Sequence, residues 1–222
     1  MSTLTLHFTL ASDALFGRGD GVAGVVDQEV QYDVYGCPYL GGKTLKGMLV
    51  NECADILNAV PADKRTRWQS VALQLFGEPG GTYAGTAKMQ VGDACLPEEL
   101  RAAVAQTVDS QKLSRSEILD SLTALRQQTA IDPVTGTPLE KSLRTTRVIV
   151  RSTPFVASLW LQEAVDNADS RRLLAACVKA FRRAGTMRNR GFGRLRDVSL
   201  SAEDGTVLTE GAFEEFCKEV LS

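Results

Sequence analysis

A glycine-rich loop that leads directly into an amphipathic helix constrains the fold of this chain more than any other feature. It covers residues 26–56, VDQEVQYDVYGCPYLGGKTLKGMLVNECADI, and its apolar spacing predicts a helix from Thr44 that ends before Pro61. We expect Thr44 to cap this helix, and Lys43 and Lys46 to add positive charge to the amide groups that a helix start leaves unpaired. The stretch therefore predicts an anion site that would accept a phosphate group.

Length and composition indicate an ordinary globular protein. The chain has 222 residues, 44% hydrophobic and 23% charged, which is enough for one core with an inserted subdomain. Five widely spaced cysteines without a CxxC pair, with a single histidine, disfavour a metal cage and indicate reduced thiols in a cytoplasmic protein. The sequence shows no secretion signal and no apolar run of about 18 residues, so we expect no membrane association.

Alternation and helical periodicity predict an α+β fold. Residues 3–10 alternate between apolar and polar side chains, as a half-buried strand does. Further strands are predicted over residues 87–91, 145–150, 155–161 and 195–200, and helices over residues 44–60, 68–77, 97–108, 114–125 and 169–184 and around Phe216. Without the long acidic loop of residues 11–43 and an insertion, the order is strand, helix, strand, strand, helix, strand. This order predicts a ferredoxin-like (RRM-like) βαββαβ core.

The middle of the chain is predicted to be an insertion. Ser114 and Glu117 form a capping-box pattern for a helix that we expect to bury Ile118, Leu122 and Leu125. The turn-rich segment AIDPVTGTPLEK, residues 130–141, is too polar for a core and predicts an exposed hairpin arm. We therefore expect a single domain over residues 1–222, with a core of about 1–95 and 144–222 and an insertion of about 96–143.

Positive charge is concentrated near the end of the chain, although the net charge is only −2. Residues 171–196 contain nine arginines and lysines and no acid until Asp197. Within them GTMRNRGFGRL combines three glycines with Arg188, Asn189, Arg190 and Phe192, which offers backbone donors, guanidinium groups and a stacking ring. The loop suits a sugar-phosphate backbone. The alternative interpretation is a solvated basic helix followed by a glycine turn.

These segments together resemble a known family. VDQEVQYDVYGCPYLGGKTLKGML, LFG, GDACLP, AIDPVTGTPLEK and GTMRNRGFGRL are similar, in order and spacing, to the successive motifs of the RAMP superfamily of CRISPR proteins. More narrowly, they resemble the repeated backbone subunit of type III effector complexes, over most of the chain.

The resemblance implies a subunit that stacks head to tail along a guide (CRISPR) RNA, with a hairpin thumb that crosses the guide–target duplex at regular intervals. Its partners would be guide RNA, target RNA, other copies of itself or diverged backbone subunits, and other type III subunits. The thumb would include Ile131, Asp132 and Pro133. The residues implied to contact RNA are Arg18, Lys43, Thr44, Lys46, Arg188, Asn189, Arg190, Gly191 and Phe192.

The resemblance also implies an endoribonuclease. The family's aspartate cuts target RNA beside each thumb with a divalent metal, and Asp27 falls at its position, so Asp27 is the implied catalytic residue and ligand of Mg²⁺. Gln28 and Glu29 follow Asp27 where the family's motif has Asn and Pro. An architectural guide-binding subunit with an inert acidic loop is therefore an alternative, as is Asp27 as one solvated acid among several.

The remaining candidates have simpler explanations. His7, the only histidine, lies on the polar side of the first strand and is expected to be structural. Trp68 and Trp160 lie in apolar runs, which favours core packing. A third function class, a small-molecule enzyme that uses the helix start as a phosphate cradle, predicts saturable nucleotide binding by the isolated monomer.

Overall fold

The structure is a computed structural model and describes residues 1–22, 26–78 and 87–221. It shows a mixed α+β fold with antiparallel sheets, as predicted. The predicted turn at Gly80 and Gly81 lies outside the described residues. The strands are β1 Ser2–Leu10, β2 Met89–Val91, β3 Thr123–Gln128, β4 Arg144–Ile149, β5 Pro154–Leu161 and β6 Leu195–Ala202, and the helices are α1 Gly42–Ala59, α2 Ala62–Phe76, α3 Glu98–Asp109, α4 Arg115–Leu122, α5 Ala168–Ala180 and α6 Thr209–Leu221.

The larger sheet has four strands in the order β2-β5-β1-β6, and every neighbouring pair is antiparallel. The N-terminal strand β1 is central, with Phe8 opposite Phe155 on β5 and Leu6 opposite Leu200 on β6. Strand β4 is not part of this sheet. It pairs instead with β3 in a separate two-stranded ribbon.

Alternation along β1 and β5 separates a buried face from an open one. Leu4, Leu6, Phe8 and Leu10 are buried and join α1 and α5 side chains in one hydrophobic cluster. The ring of Phe8 stacks on Phe155 at 5.5 Å between centroids. On the open face His7 Nε2 lies 3.2 Å from Ser201 Oγ, which confirms its structural role.

The two tryptophans differ in burial. Trp68 on α2 is fully buried, and its ring contacts Phe216 of α6 with centroids 4.8 Å apart. This contact fastens the C-terminal helix to the body of the protein, as predicted. Trp160 is only half-buried. It packs on the open face against Gly92, where an added Cβ would come within 2.9 Å of the indole ring.

Three predicted elements need correction. Helix α1 begins at Gly42, and Thr44 does not cap it; the Gly42 amide donates instead to Asp93 Oδ1 at 2.7 Å. The predicted helix of residues 114–125 ends at Leu122, although its capping box is confirmed, because the chain then enters β3 and leaves Leu125 47% exposed. The last core helix, α5, ends at Ala180 instead of residue 184.

We predict that Asp93→Ala destabilises the fold by about 1–2 kcal/mol, since it removes a charged acceptor from the start of α1. Urea unfolding followed by circular dichroism measures the loss. Asp109→Ala is the matched control, because Asp109 is an exposed acid at the end of α3 and its substitution should change the free energy of unfolding by less than about 0.5 kcal/mol. Equal stability of the two variants would contradict the capping role.

Candidate nucleic-acid interface

The segment of residues 130–141 forms an exposed hairpin arm at the end of the β3–β4 ribbon. An isolated bridge between Ile131 and Pro138 continues the pairing beyond the strands. The carboxylate of Asp132 accepts hydrogen bonds from the Val134 and Thr135 amides, which lowers its pKa. Val134 at the tip is 91% exposed. The sequence prediction of an exposed hairpin is thus confirmed, with an apolar tip that has no cover from the described residues.

The acidic loop is anchored to the base of this arm. The Asp27 amide donates to Thr145 O at 2.8 Å, and the Thr145 amide donates back to Asp27 Oδ2 at 2.7 Å. The Arg147 amide donates to Gln28 O at 3.0 Å, and Gln28 forms an isolated parallel bridge with Thr146 of β4. Asp27 remains exposed but is held at the arm. Asp27 is thus a solvated acid with a fixed backbone position.

Glu29 makes the strongest of these attachments. Its side chain is 3% exposed and lies 3.2 Å from Arg147, which also bonds Asp120 at 2.7 Å and Thr123 Oγ1 at 3.0 Å. The pair joins the acidic loop, β4 and the α4–β3 junction. The sequence suggested that Glu29 was only a departure from the family motif. The structure shows that it is a buried structural residue.

A groove runs between the ribbon and the Arg188–Arg190 loop. The loop is a single 3₁₀ turn, with Met187 and Gly191 in left-handed conformations on either side. Arg190 borders three adjoining clefts of about 560, 470 and 500 Å³. The side chains of the ribbon and acidic loop that line them are Gln28, Arg126, Gln128, Thr129, Ser142, Arg144 and Thr146, with Asp13 and Arg151 at the base of the arm.

The predicted loop residues therefore meet residues that the sequence did not single out. Arg188, Asn189, Arg190, Gly191 and Phe192 all line the groove. Arg126, Arg144 and Arg151 complete it, and they were missed because they are dispersed over β3, β4 and the turn that follows β4. Of the groove arginines, only Arg126 has a carboxylate partner in the described part of the chain, Asp13 at 2.7 Å.

The basic run of residues 171–196 splits into two halves in space. Arg171 pairs with Asp166, Arg172 with Asp169 and Glu215, and Lys179 with Glu210. The helical half therefore resembles the alternative of a basic helix surface, with ion pairs that the sequence did not predict. The loop half, Arg188 and Arg190, has no carboxylate partner among the described residues and is the half that lines the groove.

The start of α1 is less open to an anion than the sequence predicts. Asp93 Oδ1 takes the Gly42 amide, and Gln31 Oε1 takes the Gly41 amide at 3.2 Å. Lys43 and Thr44 are exposed, and burial lowers the pKa of the half-buried Lys46. None of these three residues lines the clefts around Arg190.

Arg18 is also engaged within the protein. Its Nε donates to Asp20 Oδ1 at 2.6 Å, and this bond raises the pKa of the guanidinium. The Arg18 guanidinium lies 5.9 Å from the centre of the Tyr32 ring, with Arg115 at 4.7 Å from the same ring. The charge of Arg18 is therefore paired with a carboxylate, in contrast to that of Arg190.

Asp27 is the candidate metal ligand that the sequence singled out. The residues that the structure describes contain no group of three or more His, Cys, Asp or Glu side chains placed to hold a metal ion. One Asp27 oxygen accepts the Thr145 amide. Mg²⁺ commonly retains waters and uses one or two carboxylates with substrate phosphates. A single exposed carboxylate fits this mode, and it does not fit a site preformed by protein ligands.

The five cysteines are free thiols, as predicted. Burial raises the pKa of Cys37 to about 11, so this thiol is inert at neutral pH. Over residues 1–22, 26–78 and 87–221, no helix combines the length and apolar character that crossing a membrane requires.

Comparison with known proteins identifies the family. The model of the RAMP superfamily matches residues 7–196, which is most of the chain. The chain belongs to the RAMP superfamily. No curated protein matches this RAMP sequence.

Solved structures show the same RAMP fold. A chain of the "Type III-B Cmr-beta bound to cognate target RNA" superposes with a TM-score of 0.66 at 14% identity, over 93% of this chain and 99% of that one. A chain of "Type III-B Cmr-beta" in the apo state gives a TM-score of 0.63 at 16% identity, over 91% and 97%. At these identities the likeness establishes the fold.

We predict that Arg147→Ala destabilises this RAMP by about 3–5 kcal/mol, because it leaves the buried Glu29 carboxylate unpaired. Urea unfolding provides the measurement. Arg144→Ala on the same strand is the control, since Arg144 is exposed and unpaired in the described structure, and should cost less than about 0.5 kcal/mol.

The double variant Glu29→Leu, Arg147→Met removes both charges. It therefore separates the cost of losing the ion pair from the cost of leaving one buried charge unpaired. It should recover much of the stability lost in Arg147→Ala. Equal destabilisation by Arg147→Ala and Arg144→Ala would show that the ion pair does not hold the acidic loop in place.

Proposed function

We propose that this protein is a guide-RNA-binding backbone subunit of a type III CRISPR effector complex. Membership of the RAMP superfamily supports an RNA-related role, and the similar chains come from type III-B structures, one of them bound to target RNA. Guide RNA, target RNA, further copies or diverged backbone subunits, and other type III subunits are the proposed partners. Charge-lined grooves of this kind bind polynucleotides by their phosphates, while base pairing reads the sequence.

The proposal includes the architecture. We infer a ferredoxin-like core over about 1–95 and 144–222. The strand order β2-β5-β1-β6 supports it, as does the chain order, in which α1 lies between β1 and β2 and α5 lies between β5 and β6. The insertion of about 96–143 would carry the thumb, with Ile131, Asp132 and Pro133 near its tip. The exposed Val134 beside them supports a role in contact with another molecule, since an apolar tip in water gains by being covered.

The single observation that carries the proposal is the unpaired positive charge around Arg190. Arg144, Arg151, Arg188 and Arg190 line adjoining clefts and have no carboxylate partner among the described residues. Guanidinium groups bind phosphate oxygens with paired N–H donors and cannot be deprotonated in proteins. The groove is open and extended, which suits a polynucleotide better than a small metabolite. The small-molecule alternative also loses support because protein acceptors occupy two amides at the α1 start.

We further propose that Asp27 cleaves target RNA beside the arm. Its carboxylate is exposed at the arm base and accepts one hydrogen bond from the Thr145 amide, while the Asp27 amide donates to Thr145 O, which gives the residue a defined position relative to the proposed thumb. Asp27 would hold Mg²⁺ together with a target phosphate. When bound, the metal would stabilise the negative charge that develops as a 2′-hydroxyl attacks the phosphate. The contribution of this chain would be to orient the Asp27 carboxylate and to hold the RNA strand.

An inactive architectural subunit is the second candidate. Two observations favour it: Asp27 belongs to no group of three or more His, Cys, Asp or Glu side chains placed for a metal among the described residues, and Gln28, not Asp27, lines the groove beside Arg190. Adjacent residues of a strand point to opposite faces. An RNA strand that lies in the groove would therefore contact Gln28 before it reached the Asp27 carboxylate.

We predict that Arg190→Glu lowers the amount of RNA that copurifies with the protein about tenfold or more, because it reverses the charge shared by all three clefts. Denaturing gels of RNA extracted from protein purified at fixed salt give the measurement. Lys112→Glu is the matched control, since it makes the same charge change at an exposed residue between α3 and α4. If both variants retain RNA of uniform length in equal amounts, the groove is not the guide site.

We predict that Asp27→Asn abolishes cleavage of target RNA by the assembled complex, while target binding stays within about twofold of wild type, since the exchange preserves shape and removes the metal-binding charge. Cleavage is measured with end-labelled target and binding by filter retention. Glu140→Gln, which removes one negative charge from the arm, should cut normally. Unchanged products with Asp27→Asn would remove Asp27 from the mechanism, and no cutting by the wild-type complex would favour the architectural alternative.

A further inference from the structure

One of the three clefts around Arg190 has a composition that the proposed guide surface does not explain. It lies at the base of the arm, has a volume of about 500 Å³, and is lined by Ser12 and Asp13 after β1, Arg126 on β3, Arg151 after β4, and Arg190 and Phe192 on the glycine loop. Three guanidinium groups thus face one carboxylate. The cleft is built from four segments that are remote in sequence.

Asp13 organises this cleft from within. It is half-buried, its Oδ2 accepts from Arg126 Nε at 2.9 Å and Nη2 at 2.7 Å, and its Oδ1 accepts from the Arg151 amide at 3.1 Å. Both carboxylate oxygens are therefore engaged. The Asp13 charge offsets Arg126 and leaves the side chains of Arg151 and Arg190 without a carboxylate partner in the described part of the chain.

Neighbouring hydrogen bonds fix the wall that carries Arg190. Ser12 Oγ donates to Gly191 O at 2.9 Å and accepts from the Arg194 amide at 3.0 Å. The Gly193 amide donates to Asp13 O at 2.8 Å. Gly193 must remain glycine here, because its φ is +70° and an added Cβ would lie 1.9 Å from Ala184 O. These hydrogen bonds therefore hold the loop that carries Arg190 in a fixed position.

We propose that this arm-base cleft is a second phosphate-binding site, which holds one phosphodiester of the bound RNA between Arg151 and Arg190. Asp13 restrains the Arg126 guanidinium and holds the backbone at Arg151 without contacting the phosphate. The inference rests on the proposed RNA-binding function, adds Asp13 and Arg126 to it, and gives Arg151 a specific role. An excess of two guanidinium charges in an open cleft suits an anion, and phosphodiesters are the anions that such a groove would meet along an RNA.

The dependence of RNA affinity on salt tests the site directly. Binding of the full-length protein to a fluorescein-labelled single-stranded oligouridylate is followed by fluorescence anisotropy over a series of salt concentrations. Each lost phosphate contact reduces the slope of log K against log salt by about 0.7 for a single strand. Arg151→Gln should reduce the slope by about this amount, and Arg151→Lys, which keeps the charge, should restore it.

Asp13→Asn gives a prediction of opposite sign. The amide keeps an acceptor for the Arg151 backbone but releases Arg126, so the slope should become steeper and the affinity at low salt should rise. Lys112→Gln removes a positive charge elsewhere on the surface and should leave the slope unchanged. Urea midpoints equal to wild type for Arg151→Gln and Lys112→Gln show that the fold is intact.

The outcomes distinguish this inference from the proposed function. If Arg190→Glu weakens binding while Arg151→Gln leaves the slope unchanged, the groove binds RNA but the second site does not exist. If Asp13→Asn weakens binding instead of strengthening it, Asp13 does not restrain a binding arginine, and the site is overturned in this form. If the wild-type protein does not bind the oligouridylate at any salt, both the proposed function and the inference fail.

Discussion

The buried ion pair between Glu29 and Arg147 holds the functional surface of this protein together. It fastens the acidic loop to β4, and through Asp120 and Thr123 it fixes the junction where α4 passes into the arm ribbon. A buried pair of this kind contributes little net stability compared with apolar packing, yet losing one partner is costly. Its importance here is geometric, because the pair acts together with the backbone hydrogen bonds of Asp27 and Gln28 to place the acidic loop beside the arm.

The sequence predicted those features whose cause is local. Period-two alternation identified β1 and β5, and the capping box at Ser114 and Glu117 located the start of α4, because both depend on residues within a few positions of each other. The capping of α1 could not be predicted, since its acceptor, Asp93, lies 51 residues from Gly42. Strand β3 was missed because TALRQQ has neither clear alternation nor a turn signal, and it pairs only once β4 is beside it.

The candidate site was predicted in part for the same reason. Clustering in sequence identified Arg188 and Arg190, but the same run contains Arg171 and Arg172, whose charges meet acids on α6 and near the start of α5. Clustering in the sequence therefore overstated the unpaired positive charge on the α5 half of the basic run. It also missed Arg126, Arg144 and Arg151, which reach the groove only through the folding of the ribbon. Surface potential depends on which charges remain unpaired after folding.

The central position of β1 also bears on how the chain acquires its structure during synthesis. Residues 2–10 pair with residues 154–161 and 195–202, so β1 lacks both neighbours until the chain has been translated through residue 202. Long-range pairing of this kind slows folding and leaves an apolar strand edge open to other chains in the meantime. Chaperone protection of the nascent β1 strand would be of particular value to a protein with this topology.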